Sequence, residues 1–179
     1  MGGSGSQAAP PNVAFARPNV MDGFDQRRTP CHKRGVRCFE RPKMSAAARA
    51  TVNAYYAAFN AGNAAGMLAA VTDDIEHRVN EGGIRHGKEK FAEFCSHMGV
   101  SYREELKDIT VFVNEDGTRA AAEFTVHGTY LKTDPGLPEA RGQTYILPAG
   151  SFFDLRDGKI SRVTTFYNLN DWILQVSNG

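Results

Sequence analysis

Two side chains in this sequence are suited to proton transfer, His77 and Tyr55. His77 alternates with Ile75 and Val79 along a predicted strand, so these three residues share one face. A histidine whose pKa lies near neutral pH can take or give a proton, which makes His77 a candidate base. Tyr55 lies on a predicted helix and can donate its phenol to an oxygen that gains negative charge. Either side chain can instead be a core residue whose polar atoms find hydrogen-bond partners.

Other candidate contacts for a small ligand follow from the period of two in the later strands. On one predicted inward face lie Phe124, Val126 and Tyr130, and on another lie Ser151 and Phe153. Ser151 has no neighbouring residues typical of an activated nucleophile, so it is expected to be a polar contact only. Packing alone also explains Tyr130.

The sequence suggests no cofactor and no metal. The five histidines are not spaced with carboxylates as metal ligands usually are, and Cys31, His32 and Cys38 match no established zinc spacing. There is no glycine-rich phosphate loop. Chemistry in this protein is therefore expected to rest on its own side chains.

The elements that must position these residues form an α+β pattern, with helices first and strands later. We expect helices from Ser45 to Asn60, over 64–71 and from Gly87, with Asp73-Asp74 as a turn. Long antiparallel strands are expected over 103–113, 118–131, 143–156 and 159–168, with a bulge or bend at Pro148 and Gly150, and a short helix over 171–176. A sheet bent in this way curls around the first helices and encloses a cone, whose mouth is a common ligand site.

Charge divides the chain near Met44. Residues 1–44 contain eight basic and three acidic residues, and residues 45–179 contain 13 basic and 17 acidic ones. We expect a disordered basic extension over 1–44, because it is rich in Gly, Ser and Pro and shows no apolar period. An inert tail, a transit peptide, a contact for an acidic partner and an upstream extension of the reading frame are all compatible with it. The folded domain is expected over 45–179.

Composition limits the partners and the compartment. The net charge of the whole chain is only +1, so we expect no nucleic-acid partner. No apolar run reaches the length of a membrane span, so we expect no membrane partner. Cys95 is the single cysteine of the domain, which favours a reducing, cytoplasmic compartment.

The domain resembles a known family. The segment Tyr55–Asn63 resembles the first helix of the ketosteroid isomerase and SnoaL-like polyketide cyclase group, in the nuclear transport factor two-like superfamily. Asp73-Asp74-Ile75 and Gly87 with Phe91 are similar to the next segment, and Phe153–Ile160 is similar to the last hairpin. The resemblance covers 45–176. It implies a cone-shaped α+β barrel that is usually a homodimer through the outer sheet face.

The resemblance also implies where catalytic groups would lie. The family tyrosine falls on Tyr55, the base position on Val79 and the oxyanion acid near Ser151, so a steroid isomerase is not expected. Tyr167, Asn168 and Trp172 lie where the family closes its pocket, and Asn168 stands where many relatives have an aspartate. We find no carboxylate whose strand parity points it inward.

Two hypotheses follow. The first is an enzyme that moves a proton on a small, largely apolar carbonyl compound, as an isomerase or cyclase, with His77 as base and Tyr55 as donor. The second is a non-catalytic ligand-binding or dimeric assembly module of the same fold. A protein-transport adaptor rests on the superfamily resemblance alone.

Overall fold

The computed structural model describes residues 41–179, and the predictions made for residues 1–40 lie outside this range. The described chain contains four helices: α1 (Arg41–Asn60), α2 (Ala64–Ala70), α3 (Lys88–Ser101) and α4 (Leu169–Asn178). It contains six strands: β1 (Val71–Val79), β2 (Arg85–His86), β3 (Tyr102–Val113), β4 (Arg119–Tyr130), β5 (Thr144–Arg156) and β6 (Lys159–Tyr167).

The six strands form one curled sheet with the order β2-β1-β6-β5-β4-β3. β1 and β6 are parallel, and the other neighbouring pairs are antiparallel. Helix α3 contacts β1, near one edge of the sheet, and also β3, at the opposite edge. One helix can reach both only if the sheet curls around it, so the sheet forms a cone that remains open between β2 and β3. The predicted α+β fold, with a curved and mainly antiparallel sheet around N-terminal helices, is confirmed.

Helix α1 contributes many of the buried side chains inside the cone. Its buried residues recur at helical spacing and are Ala48, Val52, Tyr55 and Tyr56. Gly62 follows the helix with a φ of 63°, the left-handed conformation that glycine adopts without steric cost. The end of the helix is where the sequence predicts it.

The start of α1 differs from the prediction. The described part of the helix already includes Arg41, the first described residue, so Ser45 lies inside the helix and is not its N-cap.

Asp73 and Asp74 do not form the predicted turn, since both lie inside β1. The register between β1 and β6 shifts between Val71 and Glu76, so the two aspartates occupy an irregular stretch of the strand. Both side chains are exposed. A segment that leaves regular pairing accepts residues typical of turns without ending the strand.

Of the bulge or bend predicted at Pro148 and Gly150, the bulge is absent. The β4–β5 register is continuous across both residues, and the irregularity in β5 lies instead between Asp154 and Leu155, opposite β6. Residues two apart on a strand direct their backbone N–H groups to the same side. Two residues before Pro148, the N–H of Ile146 donates to the Gln175 side chain, beyond the end of β6. The missing N–H of Pro148 therefore faces a side without a paired strand.

Strand β3 contains a bulge that the sequence analysis did not predict. Its pairing with β4 shifts between Lys107 and Thr110, so β3 has one more residue than β4 at this point. Asp108 within the bulge has a φ of 54°, a left-handed conformation that aspartate tolerates better than most residues. Because side chains alternate along a strand, the extra residue exchanges the inward and outward faces of β3. Leu106 before the bulge and Val111 after it are consequently both buried.

Gly128 of β4 makes room for an aromatic ring. Tyr145 of β5 lies opposite it, and a Cβ atom at position 128 would overlap the Tyr145 ring. Tyr145 is buried and its hydroxyl donates a hydrogen bond to Glu104 of β3 at 2.6 Å. A glycine at position 128 is therefore required for the ring to bridge from β5 across β4 to β3.

Replacing Gly128 tests this packing. We expect Gly128→Ala to lower the free energy of unfolding by about 2 kcal/mol, because the buried ring must move to accommodate the added methyl group. Urea denaturation measures the change. Gly99→Ala on α3 is the matched control, since nothing lies within 4 Å of the position its Cβ would take. It should be neutral or stabilising by up to about 1 kcal/mol. An unchanged stability of Gly128→Ala would contradict the packing described here.

Candidate functional site

An internal cavity of about 300 Å³ lies between the helices and the concave face of the sheet. Aromatic and aliphatic side chains form most of its wall, which is typical of small-molecule sites. Its polar side chains are Tyr55, Tyr56, His77, Arg85, His97, Tyr102, Glu104, Asp134, Tyr145, Ser151, Thr165, Tyr167 and Trp172.

His77 and Arg85 form one polar end of the cavity. They are direct partners in the antiparallel β1–β2 pair, so their side chains lie on the same face of the sheet. The His77 ring is buried against Phe94, with ring centroids 4.3 Å apart, and the Arg85 guanidinium lies 4.7 Å from the Phe94 centroid. His77 Nδ1 and Arg85 Nη1 are both buried, and neither has a hydrogen-bond partner among residues 41–179.

His77 is neutral at physiological pH. Burial, followed by the nearby charge of Arg85, lowers the pKa of the imidazole from 6.5 to about 4. At pH 7 the ring therefore carries a proton on one nitrogen only and can both donate and accept a hydrogen bond. A low pKa also makes it a weak base, so the structure does not favour the predicted role of His77 as the proton acceptor.

Glu104 supplies a carboxylate to the opposite end of the cavity. Burial raises the pKa of Glu104, and the hydrogen bond from the Tyr145 hydroxyl partly offsets this effect. Leu106, Val126 and Leu147 line the cavity nearby, so few polar groups compete for the carboxylate. A carboxylate with a raised pKa in apolar surroundings is a better base than one in water.

A second carboxylate, Asp134, lies at the rim of the cavity. Tyr102 donates its hydroxyl to Asp134 Oδ2 at 2.7 Å, His97 Nε2 lies 3.0 Å from the same oxygen, and the Ser101 hydroxyl is 3.3 Å from Oδ1. Burial alone would raise the pKa of Asp134, but the hydrogen bonds from Tyr102 and His97 lower it overall. Asp134 is therefore held as an anion that fixes the 131–142 loop against α3.

Hydroxyl groups line the wall between the two ends. Ser151 and Thr165 lie opposite each other on β5 and β6, with their hydroxyl oxygens 2.8 Å apart. The Tyr56 hydroxyl is buried and has no partner of normal geometry within the described residues. Burial raises the pKa of Tyr55 well above 10, so its phenol stays protonated and remains a donor.

Most of the predicted pocket residues line this one cavity. They are Tyr55, His77, Val79, Phe124, Val126, Ser151, Tyr167 and Trp172. Three others do not. Phe153 is fully buried beside Tyr55 and Tyr56, and Tyr130 is fully buried with its hydroxyl accepting a hydrogen bond from the Asp134 backbone N–H. Asn168 caps α4 through the backbone N–H of Asp171.

The expectation that no carboxylate faces inward is wrong, because Glu104 and Asp134 both line the cavity. Strand parity misplaced Glu104, since the bulge at Asp108 reverses the alternation that Ile109 and Val111 suggest. One signal was available: Leu106 and Val111 are both apolar but an odd number of residues apart, which a regular strand does not explain. Asp134 lies in a loop, where parity gives no information.

Within residues 41–179, no group of three His, Cys, Asp or Glu side chains is arranged to hold a metal ion. None of the helices described here is both long and apolar enough to cross a membrane.

Comparison with known proteins identifies the family of this chain. A family model described as a SnoaL-like domain matches residues 52–163. The chain belongs to the SnoaL-like family. The SnoaL-like domain is similar to the structure of a proposed polyketide cyclase from Silicibacter sp. TM1040, with 64% identity over 73% of this chain and 95% of that one and a TM-score of 0.71. A proposed polyketide cyclase from Pseudomonas putida KT2440 is 58% identical over 72% of this chain and 97% of that one, with a TM-score of 0.71.

A more distant structure agrees on the fold alone. An NTF2-like protein of unknown function from Burkholderia pseudomallei is 18% identical over 73% of this chain and 98% of that one, with a TM-score of 0.63. This likeness shows that the two proteins share a fold. Among proteins with curated functions, none matches this chain.

The buried neutral His77 should make the stability of the SnoaL-like domain depend on pH. In the unfolded chain the imidazole binds a proton below about pH 6.5, but in the folded protein it does so only below about pH 4. The stabilisation is therefore complete above pH 6.5 and is lost as the pH falls through 4. By linkage it amounts to about 3 kcal/mol.

Urea denaturation between pH 7.5 and 4.5 measures this effect. We expect the His77→Gln variant to have a shallower decline in unfolding free energy than the wild type over this range. His86→Gln is the control, because the His86 side chain is 67% exposed. Identical pH slopes for wild type and His77→Gln would show that His77 is not buried in the neutral form.

Proposed function

We propose that this protein catalyses proton transfer on a small, largely apolar carbonyl compound, with Glu104 as general base and Tyr55 and His77 as hydrogen-bonding groups. The reaction class is enolisation that leads to isomerisation or to aldol-type cyclisation. The observation that carries the proposal is the Glu104 carboxylate in the apolar cavity, with a raised pKa. Similarity to two proposed polyketide cyclases supports cyclisation.

Because Tyr145 donates a hydrogen bond to one oxygen of Glu104, the two carboxylate oxygens have different roles. Oε1 accepts the Tyr145 hydroxyl at 2.6 Å, which fixes the orientation of the carboxylate. The other oxygen can take a proton from the carbon next to the substrate carbonyl, which gives an enolate. The proton held by Glu104 can then return to another carbon, in isomerisation, or to the alkoxide that forms when the enolate carbon attacks a second carbonyl.

Tyr55 suits the stabilisation of the enolate oxygen. Its side chain lines the cavity, and its phenol remains protonated at neutral pH for the reason given above. Donors held in a dry cavity stabilise developing negative charge without reorganising at the moment of reaction. No redox step occurs in this sequence, so no external electron donor or acceptor is required.

Hydrogen–deuterium exchange tests this proposal without knowledge of the natural substrate. The probe is 2-tetralone in D₂O, whose α-protons exchange slowly at neutral pH, and NMR follows the loss of their signal. We expect the protein to accelerate exchange and Glu104→Gln to reduce the acceleration about 100-fold, a typical contribution of a general base. Because the base acts when ionised, the accelerated rate should rise with pH through the raised pKa of Glu104.

Glu105→Gln is the matched control. It removes the same charge from the next residue of β3, whose side chain is 64% exposed, and should leave the exchange rate unchanged. An equal loss in both variants would indicate a general charge effect and would reject Glu104 as the base. Binding of the probe without any exchange would instead indicate a ligand-binding module.

We also propose a homodimer that forms through the convex face of the sheet. Three large aromatic side chains on this face are about half exposed: Phe112, Phe152 and Phe166. Phe112 and Phe152 are both paired with Ala121 across β4, so they lie on one row of the sheet. An exposed aromatic cluster on a sheet surface is typical of an interface.

Size-exclusion chromatography with light scattering tests the dimer. We expect wild type to elute at twice the chain mass and Phe152→Asp to elute as a monomer, because a buried unpaired carboxylate opposes association. Leu174→Asp on α4 introduces the same charge at a side chain that is 61% exposed and should leave the dimer intact. A monomeric wild type would reject the proposal.

A further inference from the structure

Arg85 is a cation at the cavity wall without an anionic partner among the described residues. The ion pairs and hydrogen bonds of residues 43–179 give it no carboxylate and no acceptor, and its Nη1 atom is buried. Its one contact of note is with the face of Phe94, 4.7 Å from the ring centroid. A guanidinium that is partly removed from water and not paired is unfavourable unless an anion joins it.

His77 adds a second unsatisfied group at the same place. It is 2% exposed, and its Nδ1 atom has no hydrogen-bond partner in the described part of the chain. The charge of Arg85 contributes to its lowered pKa, which shows that the two groups are close enough to interact. A neutral imidazole beside a guanidinium offers one further hydrogen-bond donor to an anion.

Glu104, one of the two acids of the cavity, lies away from this end. His77 lies on a row of the sheet that runs through Val163, Phe153 and Ala120. Glu104 lies opposite Gly128, eight residues further along β4. Asp134 is already paired with donors at the rim, as described above. Neither acid therefore neutralises Arg85.

We propose that the Arg85–His77 end of the cavity binds a carboxylate group of the ligand. The inference rests on the proposed function, and it narrows the substrate class to a carbonyl compound that also carries a carboxylate. The planar guanidinium matches the two oxygens of a carboxylate. A single cation with one neutral donor suits a monoanion better than a doubly charged phosphate. The bound carboxylate fixes the orientation of the ligand, with its remaining length directed toward Glu104.

Matched ligands and variants test the carboxylate site. The probes are cyclohexylacetate and its neutral isostere cyclohexylacetamide, and the signal is the fluorescence of Trp172, the only tryptophan, which lines the same cavity. We expect the acetate to bind wild type more tightly than the amide. Arg85→Met should weaken acetate binding about 10- to 100-fold, as for loss of hydrogen bonds to a charged group, and should leave amide binding unchanged.

Two further variants distinguish the possible causes of weaker acetate binding. Arg85→Lys keeps the charge but loses the planar fork, so its affinity for the acetate should fall between those of wild type and Arg85→Met. Arg78→Met removes a cation from an exposed position of β1 in the same hairpin and should bind both probes as wild type does. Thermal melting confirms that each variant is folded.

The outcomes distinguish this inference from the proposed function. Equal binding of the two probes, or acetate binding that is unchanged in Arg85→Met, overturns the carboxylate site while the cavity remains a ligand site. Binding of neither probe overturns it as well. Failure of the proposed function appears separately, as an exchange rate of 2-tetralone that does not depend on Glu104.

Discussion

The extra residue in β3 is the constraint on which the cavity depends. A regular strand would place Glu104 and Leu106 on the convex face if Val111 faced the core. The left-handed backbone at Asp108 absorbs one residue and allows both ends of β3 to present apolar or functional side chains to the interior. A local backbone irregularity, not a change of residue type, therefore gives the cavity its carboxylate.

A carboxylate inside an apolar wall is stable only if part of its hydrogen-bonding capacity is satisfied. The hydroxyl of Tyr145 provides this, and it can do so only because Gly128 on the intervening strand has no side chain. The glycine, the tyrosine and the glutamate thus form one unit across three strands. Such a unit raises the pKa of the acid through burial while a single donor holds the acid in place, which is the balance a general base needs.

Regular periodicity predicts the fold of this chain well but predicts the polar residues of the site only in part. The helical spacing of Val52, Tyr55 and Tyr56 and the alternation of Ile75 and His77 are local properties, and the structure confirms the faces that they indicate. Two of the missed polar residues depend on non-local pairing. Glu104 faces inward because of a bulge against β4, and Arg85 faces inward because of the register of the β1–β2 hairpin, which the sequence of a short strand does not specify.

The two ends of the cavity carry opposite charges, which favours a ligand that binds in one orientation. Among residues 41–179, Arg85 at one end is a cation without an acid beside it, and Glu104 at the other is an acid without a cation. A direct ion pair between the two would neutralise both and leave a polar but inert interior, whereas their separation leaves each charge available to a ligand. A molecule with an anionic group at one end and an acidic carbon at the other satisfies both. In the proposed mechanism, the cation would orient such a molecule, and the acid, whose pKa is raised by burial, would accept its proton.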